Sequence, residues 1–162
     1  MKDVLKELGA FAFASRMKRL SDSLKAEVSQ VYLEQGIAFN DSWFLVGVML
    51  SRYKKMTVTD MADALGISPP AISQVYGDMV KAGIIEVEPG DLDKRQRILS
   101  LTPAGASVVE ALDPIWNAFE GCIKNLFDEA GCDALAALTA IEECLEKKSM
   151  VDRLREALRP QA

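Results

Sequence analysis

Between Thr57 and Gly105 the chain reads TVTDMADALGISPPAISQVYGDMVKAGIIEVEPGDLDKRQRILSLTPAG. A short apolar strand, two small helices and a charged hairpin follow one another here, and no other stretch limits the possible folds so tightly. Val58, Met61, Ala62 and Leu65 are spaced i, i+3, i+4 and i+7, one apolar stripe on a helix over Thr59–Leu65. Gly66 suits a left-handed helix end, and Ser68-Pro69 supplies a side-chain cap with a proline at the first helical position. The second helix is expected to bury Ile72, Val75, Met79 and Val80. Turning about 100° per residue then sends Pro70, Ser73, Gln74, Gly77 and Lys81 to the opposite side. Gly83 reads as the next stop. Ile84–Glu88 and Arg97–Leu101 read as two β-strands, and the turn between them carries Asp91, Asp93, Lys94 and Arg95, with Arg97 at its base. Thr102-Pro103 is another cap-plus-proline start, for a long helix through Val108, Val109 and Leu112.

Two helices joined within about three residues and followed by a charged hairpin form the pattern of a winged helix-turn-helix, which places one helix in a DNA groove. The residues facing DNA in that pattern are Ser68, Pro70, Ser73, Gln74, Gly77 and Lys81 of the second helix, and Asp93, Lys94, Arg95 and Arg97 of the wing. At these positions the chain resembles the MarR family, winged-helix regulators named for multiple antibiotic resistance. The resemblance covers roughly Asn40 to Gly105. Asp93-Lys94-Arg95 matches an Asp-x-Arg wing, and Leu101-Thr102-Pro103-Ala104-Gly105 matches a Leu-Thr-x-x-Gly helix start.

The resemblance implies a mainly α-helical chain with a two-stranded β-hairpin wing, and a homodimer built by its N- and C-terminal helices. It also implies a transcriptional regulator, usually a repressor, on a palindromic operator. Recognition helices would enter successive major grooves and the wings would reach minor grooves, giving Arg95 the minor-groove role with Asp93 orienting it by a salt bridge. Gln74 and Val87 stand where members often have a basic residue. Base reading would therefore rest on amide and hydroxyl groups, Gln74 being suited to adenine.

Outside the module, Val4–Glu34 reads as one long helix stopped by Gly36. Asn40 caps a helix whose Trp43, Phe44, Val46, Gly47 and Leu50 are core. Further helices are expected over Thr102–Phe127, over Asp133–Glu146 with Leu135, Leu138, Ile141 and Leu145 on one side, and through Val151, Leu154 and Leu158. The expected organisation is one unit over 1–162, with a DNA-binding module at 37–105 and a dimerisation region made of 1–36 and 106–162. Relatives often bind an aromatic molecule, and Phe11, Phe13, Met17, Trp43, Phe44 and Trp116 are the residues for such an effector pocket, set against a plain core reading. Leu8–Ala14 is apolar but too short to span a bilayer and lacks a clear cleavage context, so a cytoplasmic protein with no membrane association is expected.

A formal charge of −5 and a pI near 4.9 oppose a general nucleic-acid binder. The layout answers this. Residues 1–50 carry six Lys/Arg against six Asp/Glu, residues 51–100 seven against seven, and residues 101–162 six against eleven. The acid excess is confined to the last third, while Arg52, Lys54 and Lys55 precede the helix pair and Lys94, Arg95 and Arg97 load the wing. With a Debye length of about 8 Å, distant acid is largely screened from a groove-facing side. The chain has no histidine, which removes imidazole catalysis and imidazole metal ligands, and no enzyme, metal or cofactor is expected. Cys122, Cys132 and Cys144 lack metal-type spacing and read as reduced, buried thiols rather than a redox switch. The competing function is a winged-helix dimer that docks protein without reading DNA.

Overall fold

The computed structural model describes residues 2–90 and 93–159. Asp91, expected at the hairpin tip, lies outside them. The described elements run α1 (Val4–Glu7), a 3-10 turn (Gly9–Ala12), α2 (Phe13–Glu34), a second 3-10 turn (Asp41–Trp43), α3 (Phe44–Tyr53), β1 (Lys55–Thr57), α4 (Val58–Leu65), α5 (Pro69–Lys81), β2 (Ile85–Pro89), β3 (Arg97–Leu101), α6 (Pro103–Ala130), α7 (Ala134–Lys147) and α8 (Met150–Ala157). The fold is mainly helical with one small sheet.

Three departures from the sequence reading have local causes. The N-terminal helix is not continuous, because Gly9 takes φ +55° and turns the chain through the 3-10 segment. The short α1 is held by Asp3, which caps the Leu5 N–H and receives a bidentate pair of hydrogen bonds from the Arg19 guanidinium at 3.0 and 2.9 Å. That guanidinium keeps the Asp3 carboxyl below its ordinary range. Asn40 caps the 3-10 turn before α3, through Ser42 N–H to Oδ1 at 2.9 Å, rather than the helix itself. The wing is the expected hairpin, but β1 pairs with it and makes a three-stranded antiparallel sheet of order β1-β3-β2.

Leu99 on the central strand pairs with Met56 on one side and Val87 on the other, and is fully buried. It joins a core of Val46, Leu50, Met61, Ile72 and Met79, which packs α3, α4 and α5 against the sheet. A second core gathers Tyr32, Phe39 and Leu112 with Trp43, Phe44 and Trp116 around them. There Phe39 stands edge-on to Tyr32 and Trp43 at 5.8 and 5.6 Å between centroids, and the Trp116 Nε1–H donates to the Tyr32 hydroxyl at 2.8 Å. Burial pushes the Tyr32 phenol pKa up.

Packing divides the chain into two compact units, residues 1–116 and 117–162. In the second, Asp133 caps α7 and Ser149 caps α8, while the Arg153 guanidinium donates to the Cys144 and Lys148 carbonyls at 2.7 and 3.1 Å. None of this unit's described residues is buried. Cys122, Cys132 and Cys144 are consequently exposed, against the expectation of buried thiols, because a unit without a core has nowhere to enclose them. Among the described residues, no helix is long and apolar enough to cross a membrane.

Candidate nucleic-acid interface

Both helices of the pair end and start as their sequences require. The Thr57 hydroxyl caps α4 by accepting from Asp60 N–H at 3.0 Å, and Gly66 closes α4 at φ +64°. Met61 and Ala62 of the α4 stripe are buried. Ser68 occupies the α5 N-cap position, but its hydroxyl makes no capping bond. Pro69 and Pro70 have no N–H to cap, and the first remaining donors, Ala71 and Ile72 N–H, both reach the Ser68 carbonyl, at 2.9 and 3.2 Å.

On α5 the buried face is Ile72 and Met79 with half-buried Val75 and Tyr76, while Val80 is 41% exposed. Val80 falls outside the stripe because i, i+3, i+4 and i+7 from Ile72 lead to Val75, Tyr76 and Met79. Pro70, Ser73, Gln74 and Lys81 are exposed as expected and Gly77 half so. Lys81 is not free, its ammonium pairing with Asp78 at 2.9 Å.

The base of the wing is fixed by the Leu-Thr-Pro-Ala-Gly stretch. The Thr102 hydroxyl donates to the Gly83 carbonyl at 2.6 Å and accepts from Gly105 N–H at 2.9 Å, so it caps α6 and ties it to the chain leaving α5. Thr102 N–H also reaches the Ile84 carbonyl at 3.0 Å. Gly105 permits this crossing, since a Cβ there would lie 1.8 Å from the Ile84 oxygen.

At the tip, Asp93 does not pair with the Arg95 side chain. Its Oδ1 accepts from Arg95 N–H at 2.9 Å and its carbonyl from Gln96 N–H at 2.9 Å. The aspartate shapes the turn through backbone because a donor two residues on lies within reach of its short side chain. Asp93, Lys94, Arg95 and Arg97 are all exposed, and no described carboxylate forms an ion pair with the last three. Ser73 and Tyr76 of α5, Thr57 and Thr59 at the start of α4, and Arg95 and Arg97 of the wing line one cleft. Tyr76, Thr57 and Thr59 were not anticipated there. Tyr76 lies three residues past Ser73 and so shares its side of α5, which was the available signal.

The six residues named for an effector pocket fall into two groups. Trp43, Phe44 and Trp116 belong to the second core, whereas Phe13 and Met17 line an open groove with Lys6, Arg16 and Arg19, and Phe11 is 90% exposed. The break at Gly9 turns the N-terminal apolar residues onto a surface of their own. Among the described residues, no group of three His, Cys, Asp or Glu could hold a metal ion.

Residues 39–96, from the aromatic cluster to the wing, match the MarR family model. Over this winged helix the chain is similar to the MarR family. The family is one of transcription regulators rather than enzymes. The HTH-type transcriptional regulator PetP of Rhodobacter capsulatus is 27% identical over 101 residues, or 62% of this chain, and the match spans 59% of PetP's own length. Among solved structures, reduced AbfR bound to DNA has a TM-score of 0.65 at 19% identity, covering 90% of this chain and 98% of that one. A cysteine-to-serine mutant of MarR from E. coli complexed with operator DNA has a TM-score of 0.61 at 19% identity, with the same coverages. At these identities the likeness is one of fold.

Proposed function

We propose that the protein is a cytoplasmic transcriptional repressor that binds a palindromic operator as a homodimer. The observation that carries the proposal is the shared cleft, in which Ser73 of α5 and Arg95 and Arg97 of the wing converge. A helix in the major groove and a cationic hairpin beside it would contact DNA together from that arrangement. Ser68, Pro70, Gly77 and Lys94 complete the contact surface, Asp93 holds the turn that projects Arg95, and Ser73 and Gln74 read base edges. The module spans 37–105, and 1–36 with 106–162 supply the dimer. Exposed Leu138, Ile141, Leu154 and Leu158 in the C-terminal unit, and Phe11 and Leu20 in the N-terminal segment, support that assignment because they leave apolar surface that a second copy would cover. A small aromatic molecule that inserts among Trp43, Phe44 and Trp116, or into the groove beside Phe13 and Met17, would release the operator.

Selection of sites from a random DNA pool, followed by gel shifts at rising salt, tests the proposal. A palindromic preference that weakens with salt is expected. Arg95→Ala should weaken binding about ten- to hundredfold with no change in dimer mass, and Gln74→Ala should relax preference at one or two base pairs, costing about 1–3 kcal/mol of discrimination. Binding indifferent to DNA sequence and salt would favour the docking module instead.

A further inference from the structure

Asp78 and Lys81 are the only charged residues of α5, and they are spent on each other, Nζ to Oδ1 at 2.9 Å with both side chains well exposed. The helix expected in the major groove therefore presents no unpaired cation to the phosphates, and any contact that draws Lys81 to a phosphate leaves Asp78 exposed there as an acid. Asp78 lies one turn beyond Gln74, about 40° round the helix, on the flank of the exposed face away from Ser73. An exposed carboxylate beside a groove edged with phosphate is a cost on every DNA sequence. Only a base that offers it a hydrogen-bond donor can offset that cost.

We infer that Asp78, given the DNA-binding reading above, is a specificity-determining residue: its carboxylate accepts from the cytosine N4 amino group at one position of each half-site, and Lys81 is its counter-ion in the free protein. Of the major-groove patterns, cytosine presents an amino donor with no acceptor of its own beside it, and Asp and Glu are the side chains matched to it. On binding, the Lys81 ammonium, at the end of a flexible four-carbon stem, exchanges Asp78 for a phosphate and leaves the carboxylate to the base. Guanine and thymine leave the acid without a donor, and adenine sets its N7 acceptor beside the one it offers, so Asp78 rejects wrong sites more than it tightens the right one. Affinity then comes chiefly from Lys94, Arg95 and Arg97 of the wing, and discrimination from the helix.

The test uses the full chain and its Asp78→Ala and Asp78→Asn variants in site selection from a random duplex pool, with gel shifts on the selected duplex and on unselected DNA. Wild type should select a C·G pair at one symmetric position. Asp78→Ala should lose that preference, bind unselected DNA more tightly, and show a specificity ratio about tenfold lower. Asp78→Asn should move the preference to A·T, because the amide matches adenine bidentately and an aspartate kept for helix structure alone would not respond this way. Lys81→Ala should lower affinity on all sequences and reduce the salt slope by about one. If wild type selects sites and both Asp78 variants select the same ones, the Asp78 assignment falls while the DNA-binding reading stands. If wild type selects no sequence, both fall.

Discussion

Gly105 shows how much one residue can decide in this chain. The Ile84 carbonyl passes so close that any Cβ would meet it at 1.8 Å, against backbone that cannot swing aside. Gly105→Ala should therefore separate α6 from the β2 start and destabilise the protein by about 3 kcal/mol or more, read as a shift in the denaturant midpoint. Tyr32 is the second such residue. Its phenol is raised by burial above the ordinary value of 10.0, so the folded state holds the proton more tightly than the unfolded one. The stability this supplies is complete below about pH 10 and is lost as pH climbs through the higher folded value. Tyr32→Phe should flatten that alkaline loss. It should also cost about 1 kcal/mol at neutral pH, because the Trp116 Nε1–H loses its acceptor. The gap between the two chains' alkaline unfolding curves checks both statements. A Leu-Thr-x-x-Gly motif is legible in sequence, but why its glycine is required is not, since the clash lies with a residue 21 positions earlier.

At the scale of elements, stops and starts set by glycine and by Thr-Pro act locally and are legible in sequence. Gly66, Gly83 and Thr102-Pro103 act on donors and acceptors three or four residues away, and each lies where its chemistry places it. Which β-strands pair depends on distant chain, and the addition of β1 to the wing was not anticipated. The link from α3 into β1 runs through Lys54 at φ +66°, the only non-glycine residue with positive φ among those described. Such backbone costs about 1–3 kcal/mol. Lys54→Gly should relieve it, and after the added entropy of a glycine in the unfolded chain the net gain should be about 1 kcal/mol, measured by thermal unfolding. The gain would be absent if the Lys54 ammonium's bond to the Ser51 carbonyl, at 2.9 Å, outweighs the strain. Val80 and Tyr76 teach the same lesson within one helix, because the stripe was set by Ile72 and Met79 and a single wrong member shifted its edge.

At the scale of the whole molecule, the C-terminal unit is the feature that isolated-chain packing does not satisfy. Its described residues include none that is buried, yet Leu135, Leu138, Ile141, Leu145 and Leu154 lie exposed on α7 and α8. Fully burying one leucine contributes about 1.5–3 kcal/mol, and these side chains are already partly covered, so a partner that buried several would add several kcal/mol, a large fraction of what holds a single domain. Sedimentation should give twice the chain mass of 17.7 kDa. A Leu138→Glu, Leu154→Glu double variant should shift the equilibrium toward single chains and weaken operator binding with it. Dimer mass and DNA affinity both unchanged in that variant would remove these helices from the assembly. The charge map belongs to this scale as well. With the acid excess in residues 101–162 and the cations of the wing exposed, a chain of net charge −5 can still offer a cationic face to DNA.

The amino-acid sequence by itself determined the winged helix. Apolar period, glycine stops and proline starts all operate between near neighbours, so the order and limits of α4, α5, β2, β3 and α6 follow from residue identity within a turn or two. Only the tertiary structure decided what those elements bring into reach: Asp93 turned onto backbone rather than onto the Arg95 guanidinium, the aromatic residues divided between a core and an N-terminal surface, and Thr102 joined to Gly83. Each of these depends on distances between groups far apart in sequence or on side-chain geometry after the chain has crossed itself, and neither is encoded in spacing along the chain.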